Sequence, residues 1–166
     1  MTRFFAAAAL VTALPGLSRT LAAQGQVSVV AGPSVYDLSG TGTTYAINAG
    51  LAFRPLDRIL VVEPSFGFLR YTTQGDIKAT LLMPELSLQA EARLGPVRPY
   101  LGGGAGQVRA SGGGFREWDT SLHGLAGVRA ELGAGWGARA ELRVRAIGPT
   151  GGTTADFGVG LARRVF

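Results

Sequence analysis

Beyond residue 23, apolar and polar residues alternate with a period of two along most of the chain. The longest run is residues 77–94, IKATLLMPELSLQAEARL. Thr80, Leu82, Pro84, Leu86, Leu88, Ala90, Ala92 and Leu94 share one parity, and Glu85, Ser87, Gln89, Glu91 and Arg93 share the other. Successive strand side chains point to opposite faces, so the run predicts a strand with one apolar and one charged face. It is more than twice the roughly 5–6 residues usual in globular strands. A strand crossing a bilayer needs about 9–11 residues within the hydrocarbon.

Four more segments repeat the pattern. Residues 59–71 set Leu60, Val62, Pro64, Phe66 and Phe68 against Glu63 and Ser65. Residues 43–54 set Tyr45, Ile47, Ala49, Leu51 and Phe53 against Thr44, Asn48 and Arg54. Residues 120–132 oppose Leu122, Ala126, Val128, Ala130 and Leu132 to Ser121, His123, Arg129 and Glu131. Residues 136–147 oppose Ala138, Ala140, Leu142 and Val144 to Arg139, Glu141, Arg143 and Arg145. Segments 26–38, 98–110 and 154–166 bring the count to about eight strands, although Gly102–Gly106 leaves the facing of 98–110 open. Short connections are expected at 55–58, 95–97 and 133–135, and longer ones at 39–43, 72–76, 111–117 and 148–154. Such alternation fits periplasmic turns opposite surface loops.

A soluble cup and a membrane barrel share this period and differ in where the charges point. Charges outside would give a lipocalin-like periplasmic barrel with an apolar ligand cavity. Charges inside would leave the apolar faces to lipid. The charged parity holds Glu63, Glu85, Glu91, Glu131 and Glu141 with Arg93, Arg129, Arg139, Arg143 and Arg145, five of each sign. Buried charges need partners, since stripping one from a buried pair costs on the order of 3–5 kcal/mol. The balance therefore favours an interior ionic network. A three-residue turn at 134–136 would set Glu131 opposite Arg139 and Arg129 opposite Glu141. Tyr45, Phe53, Tyr71, Tyr100, Trp118, Trp136 and Phe166 fall near strand ends, as an interfacial aromatic girdle would require. Charges on the apolar parity are few: Arg70, Lys78 and Arg109 near the expected loops, and Arg163 near the chain end.

Composition narrows the class further. Of 166 residues 26 are Gly and only 16% are charged, against roughly 7% and 25% in soluble domains. The glycines lack a collagen period, and the mean hydropathy is positive, which opposes disorder. The absence of Cys and the single His exclude disulfides, thiolate sites and multi-His zinc sites. No cofactor is expected. The net charge is +5, but the Arg residues are scattered among apolar ones, which argues against a nucleic-acid partner. Residues 1–23 carry Arg3, an apolar stretch from Phe4 to Leu14, a Pro15-Gly16 break and Ala22-Ala23. This layout predicts a secretory signal peptide, too short for a spanning helix, leaving 24–166 as one barrel domain.

The chain resembles the small outer-membrane β-barrel family of the OmpA and OmpX type. The likeness rests on Arg98–Gly104, on Gly127–Leu132 and on the terminal run Phe157–Phe166. It implies an all-β, antiparallel up-and-down transmembrane barrel in the bacterial outer membrane, with a structural or surface-interaction role. It implies lipid partners including lipopolysaccharide, and an assembly signal, here Phe157, Val159, Leu161 and Phe166, read by the barrel-assembly machinery. In this chain the alternating apolar residues have the opposite parity to Phe166.

Some eight-stranded barrels modify lipids, and Ser121, His123 and Glu131 share one strand face. Glu131 would lie about 27 Å from His123 at roughly 3.4 Å per residue, so no catalysis is expected. The Gly-rich segments 102–106 and 112–114 are not followed by the Lys-Ser/Thr of a phosphate loop.

Overall fold

The computed structural model describes residues 24–55, 59–148 and 152–165. The expected leader at 1–23 and Phe166 lie outside the described residues. Eight strands follow one another: β1 (Gln24–Asp37), β2 (Thr41–Arg54), β3 (Leu60–Thr72), β4 (Lys78–Glu91), β5 (Val97–Gly112), β6 (Phe115–Gly133), β7 (Trp136–Ile147) and β8 (Thr153–Arg164). Each pairs antiparallel with its neighbour, and β1 pairs with β8, so the sheet closes into a barrel. Closure leaves no unpaired edge, the condition for β-structure within lipid.

The parity seen in the sequence decides the facing. On β4 every odd position from Ala79 to Glu91 is buried, and the even ones point outward. Leu86, Leu88, Leu122, Leu142, Phe157 and Leu161 are all about half exposed or more on the outer wall. Glu63, Glu85, Arg129, Arg139, Glu141, Arg143 and Arg145 are at most 5% exposed inside. The lipocalin-like arrangement is thereby overturned. On β5 the even positions face inward, which settles the strand left open. Glycine serves there: a Cβ at Gly104 would come within 2.9 Å of His123 Cε1 and closer still to the Leu86 carbonyl.

The connections differ from expectation. They do not alternate in length, and none exceeds five residues. The segment 111–117 is not a loop. Gly113 and Gly114 both take positive φ, 51° and 88°, and form a two-residue turn. Such a turn matches strand twist, so pairing runs on to Gly112↔Phe115. The β6–β7 turn is also tighter than expected. Gly133 pairs with Trp136, leaving Ala134 (φ 51°) and Gly135 (φ 78°) in the turn, with a register shift between Glu131 and Gly133. Glu131 therefore faces Gly137, Arg129 faces Arg139 and Glu141 faces Gly127, not the partners expected. We call the end with Gln24 and Val165 the terminal end, and the opposite one the loop end.

Candidate functional site

The buried polar and charged side chains of the described residues converge in the lumen, which has two layers. Near the loop end Tyr36, Leu69, Tyr71, Leu81, Met83, Val108 and Ile147 form an apolar cluster. The Tyr36 and Tyr71 rings meet edge-on at 5.5 Å, and Tyr36 Oη donates to the Thr72 carbonyl at 3.1 Å. These two tyrosines and Tyr100 are buried. Tyr71 and Tyr100 thus do not belong to an outer girdle. Tyr45, Trp118 and Trp136 do point outward.

From mid-barrel to the terminal end the lumen is ionic. Arg139 Nη2 donates to Glu63 Oε1 at 2.8 Å and also to Glu141. Arg129 bridges Glu63 at 3.0 Å and Glu91 at 2.7 Å. Arg143 donates to Glu85 at 2.7 Å and lies 2.9 Å from Glu141. Arg145 donates to Glu85 at 2.7 Å and to Asp156, and its Nη2 to Asn48 at 2.7 Å. Arg54 closes on Glu91 at 3.0 Å. Tyr100 Oη donates to Glu141 at 2.8 Å while the Arg129 guanidinium stacks 4.0 Å from its ring. Glu63, Glu85, Glu91, Glu141 and Asp156 are thus matched by Arg54, Arg129, Arg139, Arg143 and Arg145, each within reach of an opposite charge. Low-dielectric surroundings make such contacts strong, and equally penalise any group left unpaired.

Two expected members are not in this layer. Arg93 follows the end of β4 and is exposed. Glu131 sits at the terminal rim, its side chain 44% exposed, where Arg98 pairs with it. Both lie where the strand leaves the barrel wall, so parity no longer sets their depth. Arg54, Asn48 and Gln89, which lie on the polar parity of β2 and β4, and Asp156 on β8 join this layer from outside the expected set. At the terminal mouth a cavity of about 230 Å³ is lined by Gln26, Arg54, Arg98, Arg129, Glu131 and Arg164 among others.

The lipase-like set is not assembled. Ser121 is buried in the lumen with no hydrogen-bond partner among the described residues, and Glu131 is at the rim. His123 instead has its Nε2 2.8 Å from Ser87 Oγ and its Nδ1 3.4 Å from Glu85 Oε1. This order matches a nucleophile, base and carboxylate. Yet Ser87 is 1% exposed and Glu85 is already held by Arg143 and Arg145. Of the expected assembly signal, Phe157, Val159 and Leu161 point outward from β8, each more than half exposed.

A closed eight-stranded barrel with an apolar exterior and a charged, packed interior defines an integral outer-membrane barrel. The chain belongs to the family described as the outer membrane protein beta-barrel domain, whose model matches residues 4–164. It resides in the bacterial outer membrane. Its fold is similar to that of Neisserial surface protein A, at 18% identity and a TM-score of 0.70, covering 85% of this chain and 97% of that one. It is also similar to Ail, the attachment invasion locus protein of Yersinia pestis, at 16% identity and a TM-score of 0.59, covering 86% and 99%. The N-terminal barrel domain of Pseudomonas aeruginosa OprF matches at 17% identity and a TM-score of 0.55, covering 86% and 99%. Among curated proteins none matches the chain.

Proposed function

We propose that this barrel is a closed, non-conducting and non-catalytic component of the outer membrane with a structural or surface role. Residues 1–23 export it, the assembly machinery inserts it through the outward residues of β8, and the loop end faces outside. One observation supports this reading: between its two mouths the lumen holds buried side chains, apolar near the loop end and ion-paired below. An eight-stranded lumen is just wide enough for its own side chains, and a solute would have to displace paired charges. The connections are too short to form a folded surface domain. The test is planar-bilayer recording with the purified barrel. A flat baseline is expected, and steady unitary conductance steps would refute a plugged lumen.

A further inference from the structure

The outer wall is apolar, yet at the loop end one sector of it carries four cations. Arg70, Lys78, Arg109 and Arg116 lie on the outward parity of β3, β4, β5 and β6 respectively. The pairings Arg70↔Thr80, Thr80↔Ser111 and Ser111↔Arg116 put two arginines and two hydroxyls in one row across four strands. At about 4.8 Å per strand the row spans roughly 14 Å. Lys78 is one step beyond Thr80 towards the loop end, and Arg109 one step below Ser111. Among the described residues none of the four joins an ion pair. Arg109 stacks 5.8 Å from the Trp118 ring, and its Nε is shielded from solvent without a hydrogen-bond acceptor. At the same level the opposite half of the wall shows Val35, Asp37, Thr43, Ala146 and Ala155, with no cation.

We propose that this sector is a binding site for a phosphorylated lipid of the outer leaflet. Phosphate oxygens would meet the guanidiniums and the Thr80 and Ser111 hydroxyls. Arginine suits phosphate because its planar fork donates two parallel hydrogen bonds. What selects a lipid over a free anion lies directly below. The next row across the same strands runs Phe68, Leu82, Arg109 and Trp118. A headgroup on the cations therefore places its acyl chains on Phe68, Leu82 and Trp118, continuous with the apolar wall. This rests on the reading that the loop end faces outside.

The test uses the full barrel in zwitterionic micelles titrated with diphosphoryl lipid A, with the same lipid stripped of phosphate and inorganic phosphate as comparators. The variant Arg70→Gln/Lys78→Gln/Arg109→Gln/Arg116→Gln should lose at least about a hundredfold in affinity, since each membrane-apposed cation is worth roughly a fivefold factor. A pair of changes at the other end of the wall, Arg93→Gln/Arg163→Gln, should leave binding unaltered. Heat-shifted migration on a gel certifies that each variant is folded. Should the fourfold variant not fold, Arg70→Gln and Arg116→Gln singly should each lose about fivefold. Equal affinity in the folded variants, equal affinity for the dephosphorylated lipid, or displacement by millimolar inorganic phosphate would each overturn the site. Micelle binding does not depend on orientation. Labelling of Gln74→Cys in intact cells does, so a failure of the site and a failure of the orientation are read separately.

Discussion

Glu63 is the carboxylate on which the lumen most depends. It is 1% exposed, accepts from Arg139 through both oxygens at 2.8 and 2.9 Å, accepts from Arg129 at 3.0 Å, and lies 3.7 Å from Arg143. Glu63→Gln keeps the shape and removes the charge. Arg139 keeps Glu141 and Arg129 keeps Glu91, but the lumen then holds one guanidinium too many. Breaking a buried pair by removing one partner costs about 3–5 kcal/mol, which is roughly two to four powers of ten in the folding constant. The amide oxygen can still accept one hydrogen bond, so the lower figure is expected. Glu131→Gln breaks the half-exposed rim pair with Arg98 and should cost only about 0–1 kcal/mol. The double variant Glu63→Gln/Arg139→Gln restores neutrality and should be less destabilised than Glu63→Gln and Arg139→Gln added together. The assay is reversible urea unfolding of the barrel in lipid vesicles, followed by the heat-shifted band. Equal midpoints for Glu63→Gln and Glu131→Gln would show that the paired charges do not stabilise the lumen.

Other substitutions probe the wall, the packing and a turn. Leu86 is 54% exposed at the centre of the apolar stretch of β4, so Leu86→Arg should cost about 2–4 kcal/mol and Thr80→Arg only about 0–1, by the same urea titration. A Cβ at Gly127 would stand 2.5 Å from Tyr100 Oη; Gly127→Ala should displace that ring and destabilise by about 1–3 kcal/mol, with a loss of near-ultraviolet circular dichroism from the tyrosine. Ala134 holds φ 51° in the β6–β7 turn. A left-handed L-residue costs roughly 1–2 kcal/mol and glycine returns about half of that in chain entropy, so Ala134→Gly should raise the urea midpoint slightly. Ser87→Ala should leave the barrel's background release of fatty acid from phospholipid micelles unchanged; a loss of hydrolysis would make the Ser87–His123 contact catalytic.

The fold was legible because lipid imposes an extreme alternation. Residues 77–94 carry every charge between Ala79 and Ala92 on one parity, and no soluble strand needs that over such a length. Depth was less legible than facing. Tyr71 lies eight residues from Glu63, so its parity already placed it inside; its position near a strand end was the misleading signal. Tyr100 could not be placed, because the glycines after it carry no alternation. The hairpin registers turned on backbone conformation. Ala134 is not a residue expected at positive φ, and the triple glycine 112–114 looks like a loop although only two of its residues make the turn. The pairs themselves were least legible. Glu63 and Arg139 are 76 residues apart and sit on β3 and β7, which share no ladder. They meet only across the lumen, at a height set by the stagger of the whole sheet.

That cross-lumen pairing also decides where the barrel carries its charge; of the chain's net +5, Arg3 and Arg19 lie in residues 1–23. The buried lumen is balanced, with Glu63, Glu85, Glu91, Glu141 and Asp156 against Arg54, Arg129, Arg139, Arg143 and Arg145. The rim pair Arg98–Glu131 is balanced too. A surplus cation could not be kept in the lumen without the several-kcal/mol penalty of an unpaired buried ion. Nor could it be kept at mid-height on the wall, where Arg costs about 2–4 kcal/mol. Charges outside the lumen are therefore confined to the two boundaries, and the two signs fall unevenly between them. The loop end holds Arg70, Lys78, Arg109 and Arg116 on adjacent strands with Asp37, Asp76, Glu117 and Asp119 at the same end, whereas the terminal end holds Arg93, Arg164 and Arg163, the last 5.2 Å from the Trp136 ring. Neutrality inside and lipid outside leave the headgroup level as the place where this protein can present charge.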